Sequence, residues 1–522
     1  MSGRHIIAAG HPLTAEAGLH ALRSGGNAFD GAVAAWLAAC LAEPVLTSPG
    51  GGGFAMVSPA GGRPLLYDFF AQTPRDPNPK AHAYPMEADF GSTRQVFHLG
   101  AGSVATPGCV AGILKLHADF GRLPLAECAA PALDLSCSGL VITSHAATLM
   151  RVVSALYLST PEARAVFESP GRPGQCLQEK ERFRNRDFEA FLEMLIREGA
   201  RWFYEGDIGR IVSEYCRDHN GHLARGDFAR YRVEVREALE IRRKGSTVWL
   251  NPPPSMGGTL IALGLLTRGP GPFAPYPCRE TADWREWVEP LRWMSLLRSH
   301  DGWPCLCAGD RQSIRTARAA NPALDAAMAS LFPGLPGQVR TTGTTQISVM
   351  DADGNAVSMT TSNGAGSGII PAGTGFMLNN MLGEEDLQPE GLGTWKPDTR
   401  LASMMAPTLA RLADGRWVVT GSGGSNRIRS TLLQILRHLL DHGRLLEEAV
   451  EAPRLHWEND QLHAEESAWE QLEKAAPALP WPLVRHSVPN LFFGGAHSVA
   501  RLPDGGFSGM GDPRRGGIVL SA

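Results

Sequence analysis

The stretch from Thr341 to Gly368 constrains the fold more than any other part of this 522-residue chain. Gln346 to Met350 is rich in β-favouring residues, residues 351–354 (Asp-Ala-Asp-Gly) have the composition of a turn, and Ala356 to Thr361 is a second β-favouring run. A strand, a turn and a strand in immediate succession predict a β-hairpin. The chain is therefore expected to contain antiparallel β-structure at this point.

Gly343 and Thr344 stand just before the first strand of this hairpin. A flexible residue followed by a hydroxyl residue is what backbone self-cleavage requires: the hydroxyl attacks the preceding carbonyl carbon, an ester forms, and water releases a new N-terminal threonine. The free α-amine of that threonine, with a pKa of roughly 8, lies beside its own hydroxyl and can act as general base. The alternative is structural, because β-branched threonines are common in strands.

Motifs along nearly the whole chain resemble those of the gamma-glutamyltransferase family of N-terminal-nucleophile hydrolases, in the family's order. Thr344 matches the start of the family's small subunit. The other matching motifs are Gly25-Gly26-Asn27-Ala28, Gly50-Gly51-Gly52-Gly53-Phe54, Ala105-Thr106-Pro107-Gly108, Pro252-Pro253-Pro254-Ser255-Met256-Gly257-Gly258, Gly375-Phe376-Met377-Leu378-Asn379-Asn380, Thr420-Gly421-Ser422-Gly423-Gly424-Ser425 and Asp512-Pro513-Arg514. The resemblance implies an α+β fold, a four-layer αββα sandwich. It also implies one precursor, cut into a large-subunit region (1–343) and a small-subunit region (344–522).

The resemblance implies catalytic residues as well. Ser362, on the returning strand, takes the place of a threonine whose hydroxyl orients the nucleophile; from the residues alone, a solvent-facing strand position is equally open. Gly423 and Gly424 match two successive glycines whose N–H groups stabilise the oxyanion. A helix predicted at about Ser430 to His442 follows them and would add its positive N-terminal end.

Substrate-binding residues are implied in the same way. Asn363 is the counterpart of the asparagine that holds the amino-acid head of the substrate. Glu384, with Glu385 beside it, matches an acidic residue that pairs with the substrate ammonium group. The alternative is two solvated acids in a loop. Ser403 is one of a pair of serines that contact the substrate carboxylate, and Ala402 replaces the other.

Phe70 departs from the family pattern. It stands where the family has an arginine that binds the α-carboxylate of the glutamyl group, a role for which a planar guanidinium is suited. Either the substrate lacks that carboxylate or another arginine supplies the charge, with Arg94 and Arg427 as candidates by composition. The segment between Leu387 and Arg400 is short compared with many relatives, which predicts an open site that accepts bulky acyl donors or water.

The N-terminal part of the chain predicts two helices and a close crossing. The first helix starts at Thr14 as its cap, and the second runs from about Ala28 to Ala42, ahead of Pro44. The glycine run from Gly50 to Gly53 could cradle an anion, or it could mark a crossing of chain segments where a side chain would not fit. The second interpretation is the simpler one.

Charge and cysteine content limit the partners. The formal net charge of -4 does not steer the chain to nucleic acid or to an anionic membrane. The longest near-apolar run, Ala32 to Leu41, is too short to span a bilayer, and no signal peptide precedes it, so a cytoplasmic location is expected. Nine cysteines, none in a Cys-x-x-Cys pair, predict reduced thiols rather than disulfides or zinc.

Together these features predict a self-processing enzyme that needs no metal or organic cofactor. It would hydrolyse γ-glutamyl or related amides, such as glutathione conjugates, or transfer their acyl group to an amino acid, through an acyl-threonine. One alternative is an acylase of a different side-chain amide, like the cephalosporin-acylase members of the superfamily, which Phe70 and Ala402 favour. The other is an uncut homologue that serves as a scaffold.

Overall fold

The structure is a computed structural model that describes residues 4–89, 94–266, 284–298, 315–316, 318–319, 322, 343–384, 387, 393–473, 481–486 and 491–522. Glu385 and the side chain of Arg94, both named above as candidates, lie outside this description. The strands, helices and contacts are those formed by these residues.

Strands and helices alternate irregularly along the chain, as expected for an α+β protein. The strands are β1 (Ile6–Ala9), β2 (Gly52–Ser58), β3 (Leu65–Phe69), β4 (Tyr84–Asp89), β5 (Arg94–Leu99), β6 (Leu140–Val141), β7 (Arg182–Phe183), β8 (Glu234–Glu237), β9 (Leu239–Arg243), β10 (Ser246–Leu250), β11 (Gly343–Met350), β12 (Ala356–Gly364), β13 (Thr408–Arg411), β14 (Trp417–Thr420), β15 (Ser422–Gly423), β16 (Leu455–Glu458), β17 (Gln461–Glu465), β18 (Leu483–His486), β19 (Gly495–Ala496), β20 (Ser498–Arg501), β21 (Phe507–Met510) and β22 (Ile518–Ser521). The α-helices are α1 (Pro12–Arg23), α2 (Ala28–Ala42), α3 (Cys109–Phe120), α4 (Leu125–Ser138), α5 (Ser144–Val152), α6 (Ser154–Tyr157), α7 (Pro161–Phe167), α8 (Arg186–Tyr204), α9 (Asp207–Asp218), α10 (Arg225–Arg230), α11 (Met256–Leu266), α12 (Trp284–Arg298), α13 (Arg427–Leu440), α14 (Leu446–Glu451) and α15 (Glu466–Glu473).

Two antiparallel sheets form the middle of the molecule. The first has the strand order β22-β1-β11-β12-β2-β3-β8, and the second has the order β21-β20-β14-β13-β10-β9. The predicted hairpin is the pair β11 and β12, which lies at the centre of the first sheet between β1 and β2. Segments from before and after residue 343 are thus hydrogen-bonded into one sheet.

The burial pattern of the strands explains the four layers. Along β1, Ile7 and Ala9 belong to the apolar core that includes α1, α2 and α3, whereas Ile6 and Ala8 belong to the core that includes the second sheet. Successive side chains of a strand point to opposite faces, so both faces of the first sheet are covered. Helices α11 and α14 pack on the second sheet, which completes the predicted αββα sandwich.

The start of α1 differs from the prediction. The helix begins at Pro12, with His11 as its N-cap: the Nδ1 of His11 accepts a hydrogen bond from the Leu13 N–H at 3.2 Å. Thr14 is therefore inside the helix, and its hydroxyl donates to the Glu43 carboxylate at 2.7 Å. Helix α2 has the predicted bounds, with Asn27 as its N-cap.

The glycine run from 50 to 53 is a tight crossing of chain segments. A Cβ built on Gly50 would lie 2.5 Å from the Met377 carbonyl oxygen, and one on Gly51 would lie 2.3 Å from the Ser362 carbonyl oxygen. Both distances are far below a normal contact, so only glycine allows the chain before β2 to approach β12 this closely.

Candidate active site

Thr344 and Ser362 face each other across the central hairpin. They are paired in the register of β11 and β12, next to an irregularity between Gly343 and Thr344. Both side chains are buried, and Thr344 Oγ1 is 3.4 Å from Ser362 Oγ. This separation is longer than a normal O–H···O hydrogen bond, so the two hydroxyls are neighbours without being tightly bonded.

The Ser362 hydroxyl is instead bonded to the peptide that precedes Thr344. It donates to the Gly343 carbonyl oxygen at 2.5 Å and accepts from the Gly364 N–H at 3.0 Å. Ser362 thus connects the Thr344 hydroxyl with the carbonyl group that this hydroxyl would attack. A hydrogen bond to a carbonyl oxygen favours the build-up of negative charge on it.

The glycine turn lies directly against the backbone of Thr344. A Cβ on Gly423 would be 2.3 Å from the Thr344 carbonyl oxygen, and Gly424 has a φ of +122°, which side chains rarely adopt. Arg515 lies at the same place, and its guanidinium donates to the Thr344 carbonyl oxygen at 3.3 Å. Burial lowers the pKa of Arg515 to about 10, so it remains charged near neutral pH.

A cleft opens beside the Thr344 hydroxyl. It contains five of the residues implied by the sequence: Phe70, Thr344, Ser362, Glu384 and Ser403. The remaining lining residues were not foreseen, and most are apolar: Gly364, Met381, Leu387, Met404, Met405, Ser425, Asn426 and Ile428. The structure therefore brings the candidate nucleophile to the wall of a largely apolar cleft.

Phe70 forms part of this apolar wall. Its side chain is buried and stacks on Phe54 at a centroid distance of 5.4 Å. Its carbonyl oxygen accepts hydrogen bonds from the Tyr231 hydroxyl at 2.7 Å and from the Arg400 guanidinium at 2.5 Å. Arg400 also lies 3.5 Å from the Asp68 carboxylate. Its guanidinium therefore binds protein groups next to the backbone of Phe70, and Arg400 is not among the lining residues of the cleft.

No arginine or lysine is among the described residues that line the cleft. The candidate Arg427 is buried at the start of α13, where its Nε donates to the Phe492 carbonyl oxygen at 2.8 Å and its guanidinium lies 5.0 Å from the Phe492 ring. The described part of the cleft therefore has no guanidinium fork in place of the missing family arginine.

Glu384 and Asn363 have different positions relative to the cleft. Glu384 is buried at its wall, and its Oε1 accepts a hydrogen bond from the Ala365 N–H at 3.2 Å. Asn363 follows Ser362 on β12 and is not a lining residue; its Nδ2 donates to the carbonyl oxygens of Met377 and Leu378 at 3.3 and 3.4 Å. The amide of Asn363 thus holds two chain segments together on the far side of the strand.

Two further residues support the segment between Ser362 and Glu384. Asn380 Oδ1 accepts from the N–H groups of Ala365 and Gly366 at 2.8 and 3.2 Å. Asn379 Nδ2 donates to the carbonyl oxygens of Gly50 and Ala105 at 2.7 and 2.9 Å. Both asparagines belong to a motif recognised in the sequence, but their contacts with distant backbone groups follow only from the fold.

Ser403 and Asn426 are two further polar residues of the cleft. Ser403 Oγ accepts from the Met405 N–H at 3.0 Å, and the neighbouring Ala402 is not a lining residue. Asn426 stands at the N-cap of α13, and its Nδ2 donates to Glu458 at 2.7 Å. The sequence does not identify Asn426 as a site residue, because its position in the cleft depends on the turn before α13.

One cluster elsewhere has the composition of a metal site. Ligand atoms of Asp30, His117 and Cys128 lie within 4.8 Å of one another. The Asp30 carboxylate already accepts hydrogen bonds from the N–H groups of Asn27 and Arg122, and the Nε2 of His117 is 2.8 Å from the Leu123 carbonyl oxygen. These bonds account for the cluster as a cap of α2.

The chain is similar over almost its full length to known proteins. The family model described as Gamma-glutamyltranspeptidase matches residues 14–522. The Acylase ACY 1 proenzyme of Pseudomonas sp. (strain V22) is 31% identical over 99% of this chain and 93% of its own length. The Glutathione hydrolase proenzyme of Escherichia coli (strain K12) is 27% identical over 98% of this chain and 90% of its own length.

A solved structure has the same fold. The crystal structure of cephalosporin acylase from Bacillus halodurans aligns with a TM-score of 0.80, covering 99% of this chain and 96% of that one, at 22% sequence identity. This likeness confirms the α+β sandwich predicted from the sequence. In the described residues, no helix has the length and apolar content needed to cross a membrane.

Proposed function

This chain belongs to the gamma-glutamyltranspeptidase family, and on that premise we propose that it is a self-processing amidohydrolase with Thr344 as its nucleophile. Membership of the family makes it an enzyme of the hydrolase and transferase type. The observation that carries the proposal is the position of the Thr344 hydroxyl, which lines the cleft next to Ser362 while the Thr344 backbone is packed on Gly423.

Self-cleavage begins with attack of Thr344 Oγ1 on the carbonyl carbon of Gly343. The Ser362 hydroxyl, bonded to the Gly343 carbonyl oxygen, stabilises the negative charge that develops there. The C–N bond to Thr344 breaks as the ester forms, and the nitrogen takes up a proton. Water then hydrolyses the ester, leaving a carboxylate on Gly343 and a free α-amine on Thr344. Residues 1–343 and 344–522 thereby become two chains of one sandwich.

Catalysis repeats the same chemistry on the substrate. The α-amine of Thr344 takes the proton of its own hydroxyl, which attacks the substrate amide carbon. The substrate amine leaves with that proton, an acyl-threonine remains, and water or an acceptor amine releases the acyl group. Gly423 and Gly424, held against Thr344, are the candidates for the oxyanion site, together with the nearby start of α13.

The lining of the cleft favours an acylase over a strict γ-glutamyl enzyme. Phe70, Met381 and Met404 offer an acyl group apolar surface, and the described lining residues include no cation for an α-carboxylate. Desolvating a carboxylate without a partner is costly, so a γ-glutamyl donor would bind poorly here. The relative named an acylase supports the same substrate class.

A γ-glutamyl donor remains the second candidate because of Glu384. Its carboxylate lies in the cleft wall, where it could pair with the ammonium group of an amino-acid head. The same pairing would serve an acylase whose substrate carries an amino group on its acyl side chain. Glu384 therefore does not by itself distinguish the two donor classes.

Comparison of two anilide donors tests the donor class. We expect the mature enzyme to hydrolyse an apolar acyl p-nitroanilide, such as the phenylacetyl compound, with a kcat/KM at least tenfold above that for γ-glutamyl p-nitroanilide. The Thr344→Ala variant is the control and should release nitroaniline from neither. A preference for the γ-glutamyl compound would overturn the acylase assignment while leaving the Thr344 mechanism intact.

A further inference from the structure

A second cavity lies behind the nucleophile strand, on the opposite face of the first sheet from the cleft. Glu43 and Val45 form its wall towards β11. Thr345, which points away from the cleft because side chains alternate along a strand, donates to the Glu43 carboxylate at 2.6 Å. A Cβ on Gly343 would lie 2.2 Å from the Val45 carbonyl oxygen, so Val45 backs directly onto the residue before Thr344.

The walls of this cavity are mostly apolar. They come from the start of α1, from the segment after α2 and from α5. The apolar lining residues are Pro12, Ala42, Pro44, Val45, Leu46, Ala146, Leu149 and Met150. A cavity with mostly apolar walls and a few polar groups is typical of sites for small molecules.

Two imidazoles provide the polar groups that have no protein partner. His11 is 7% exposed, and because its Nδ1 accepts from the Leu13 N–H, its proton is on Nε2. In the described residues, neither the Nε2 of His11 nor that of His145 has a hydrogen-bond partner. Both rings line the cavity. A buried N–H without a partner is unfavourable, so an acceptor at this place would be bound.

The charges around the cavity favour a neutral occupant. Burial lowers the pKa of His11 to about 4, and burial followed by the charge of Arg515 lowers that of His145 to about 4, so both rings are neutral at pH 7. The Glu43 carboxylate oxygens accept hydrogen bonds from the hydroxyls of Thr14 and Thr345. Glu43 and Arg515 lie close enough to act on each other's pKa, so their opposite charges offset one another and neither draws an ion into the cavity.

We propose that this cavity is a second ligand site, for a small, uncharged, mainly apolar molecule with a carbonyl oxygen that accepts a hydrogen bond from the His11 Nε2–H. The site is separate from the cleft, and the two lie on opposite sides of β11. The ligand class includes ketones, esters and neutral amides. Their apolar part would contact Leu149 and Met150, and their oxygen would satisfy His11.

The test uses 4′-fluoroacetophenone as probe with the whole purified protein. Its ring suits the apolar walls, its carbonyl is the acceptor, and its fluorine gives a ¹⁹F NMR signal that broadens and shifts on binding. Fluorobenzene, which lacks the carbonyl, is the matched probe. We expect saturable binding of 4′-fluoroacetophenone at a dissociation constant at least tenfold below that of fluorobenzene.

Three variants locate the bound probe. Leu149→Trp fills the cavity and should abolish binding. His11→Ser keeps an acceptor at the N-cap of α1 but removes the imidazole N–H. It should therefore weaken the binding of 4′-fluoroacetophenone about tenfold and leave the binding of fluorobenzene unchanged. Met404→Trp fills the cleft instead and should not affect either probe. Melting temperatures of the variants show that each is folded.

Several results would overturn the proposal. One is the absence of saturable binding to the wild-type protein, which would mean that the cavity holds only water. Another is binding that survives Leu149→Trp and disappears in Met404→Trp, which would place the probe in the cleft. Equal binding of the two probes to the wild-type protein and to His11→Ser would remove the role of the imidazole, even if Leu149→Trp unfolds.

Discussion

The Ser362 hydroxyl lies next to both reacting groups of the proposed self-cleavage step, the attacking hydroxyl of Thr344 and the carbonyl group of Gly343. Its oxygen is 3.4 Å from the attacking Oγ1 of Thr344, and it donates a hydrogen bond to the carbonyl oxygen of Gly343 at 2.5 Å. The hydroxyl that was expected to orient the nucleophile is thus placed to stabilise the oxyanion of the scissile peptide. Under the proposed mechanism, Ser362 therefore acts mainly in processing.

Replacing Ser362 separates this role from general packing. We expect Ser362→Ala to slow self-cleavage by about 100-fold, because loss of one oxyanion donor typically costs a factor of 10² to 10³. Ser362→Thr keeps the hydroxyl and should process at a rate within a few-fold of the wild-type protein. Conversion of the precursor band on denaturing gels gives both rates. Equal rates for the alanine and threonine variants would contradict the role of the hydroxyl.

The cap of α1 shows where prediction from the sequence fails at the scale of a residue. Thr14 is a favoured N-cap residue, and its position before a helical run suggested that role. In the structure its hydroxyl bonds Glu43, 29 positions away, and His11 caps the helix. Local preference was overridden by a buried carboxylate that needs donors, and no local pattern reveals such a partner.

At the scale of elements, the hairpin was predictable and the cleft was not. Turn chemistry at residues 351–354 and the β-favouring runs on either side identify β11 and β12 without long-range information. The apolar wall of the cleft, by contrast, includes Met381, Met404 and Ile428 from three separate segments. Their apolar side chains are indistinguishable from core residues in the sequence. Only the family resemblance connected Thr344 with the glycine turn about 80 residues later.

Adding a single methyl group to the glycine turn, by Gly423→Ala, tests whether its close contact with β11 is needed for activity. Gly423→Ala would place a Cβ 2.3 Å from the Thr344 carbonyl oxygen and displace the nucleophile strand. We expect self-cleavage and anilide hydrolysis to fall by about 100-fold, since misplacement by about 1 Å has costs of this order. Gly226→Ala, in α10, meets no atom within 4 Å and is the control. Full activity of Gly423→Ala would contradict the role of this contact.

At the scale of the whole molecule, the large buried interior contains many neutral histidines. Burial is the largest cause of the lowered pKa in each of them. The pKa is about 4 for His11, His145, His456 and His497, and about 3 for His438 and His463. The ordinary value of 6.5 applies to the unfolded chain, so below pH 6.5 the unfolded state binds more protons than the folded state.

Stability should therefore fall as the pH drops from 7 towards 5. Each histidine of this kind makes the free energy of unfolding decrease by up to about 1.4 kcal/mol per pH unit in that window. Urea unfolding of the single-chain Thr344→Ala variant measures the effect. Adding His438→Phe should reduce the slope by the contribution of one proton. A midpoint that is constant or higher at pH 5 would show that these histidines titrate normally in the folded protein.

Intact-mass spectrometry with N-terminal sequencing tests the central claim, that Thr344 becomes an N-terminal nucleophile, most directly. The wild-type protein is expected to yield two chains, the second beginning at Thr344. Incubation with a p-nitroanilide donor followed by acid quench should then add one acyl group to that chain at Thr344. The Thr344→Ala variant should remain one chain and take up no acyl group. A wild-type protein that stays intact on prolonged incubation, or that is cut and acylated equally well without the threonine, would contradict the account.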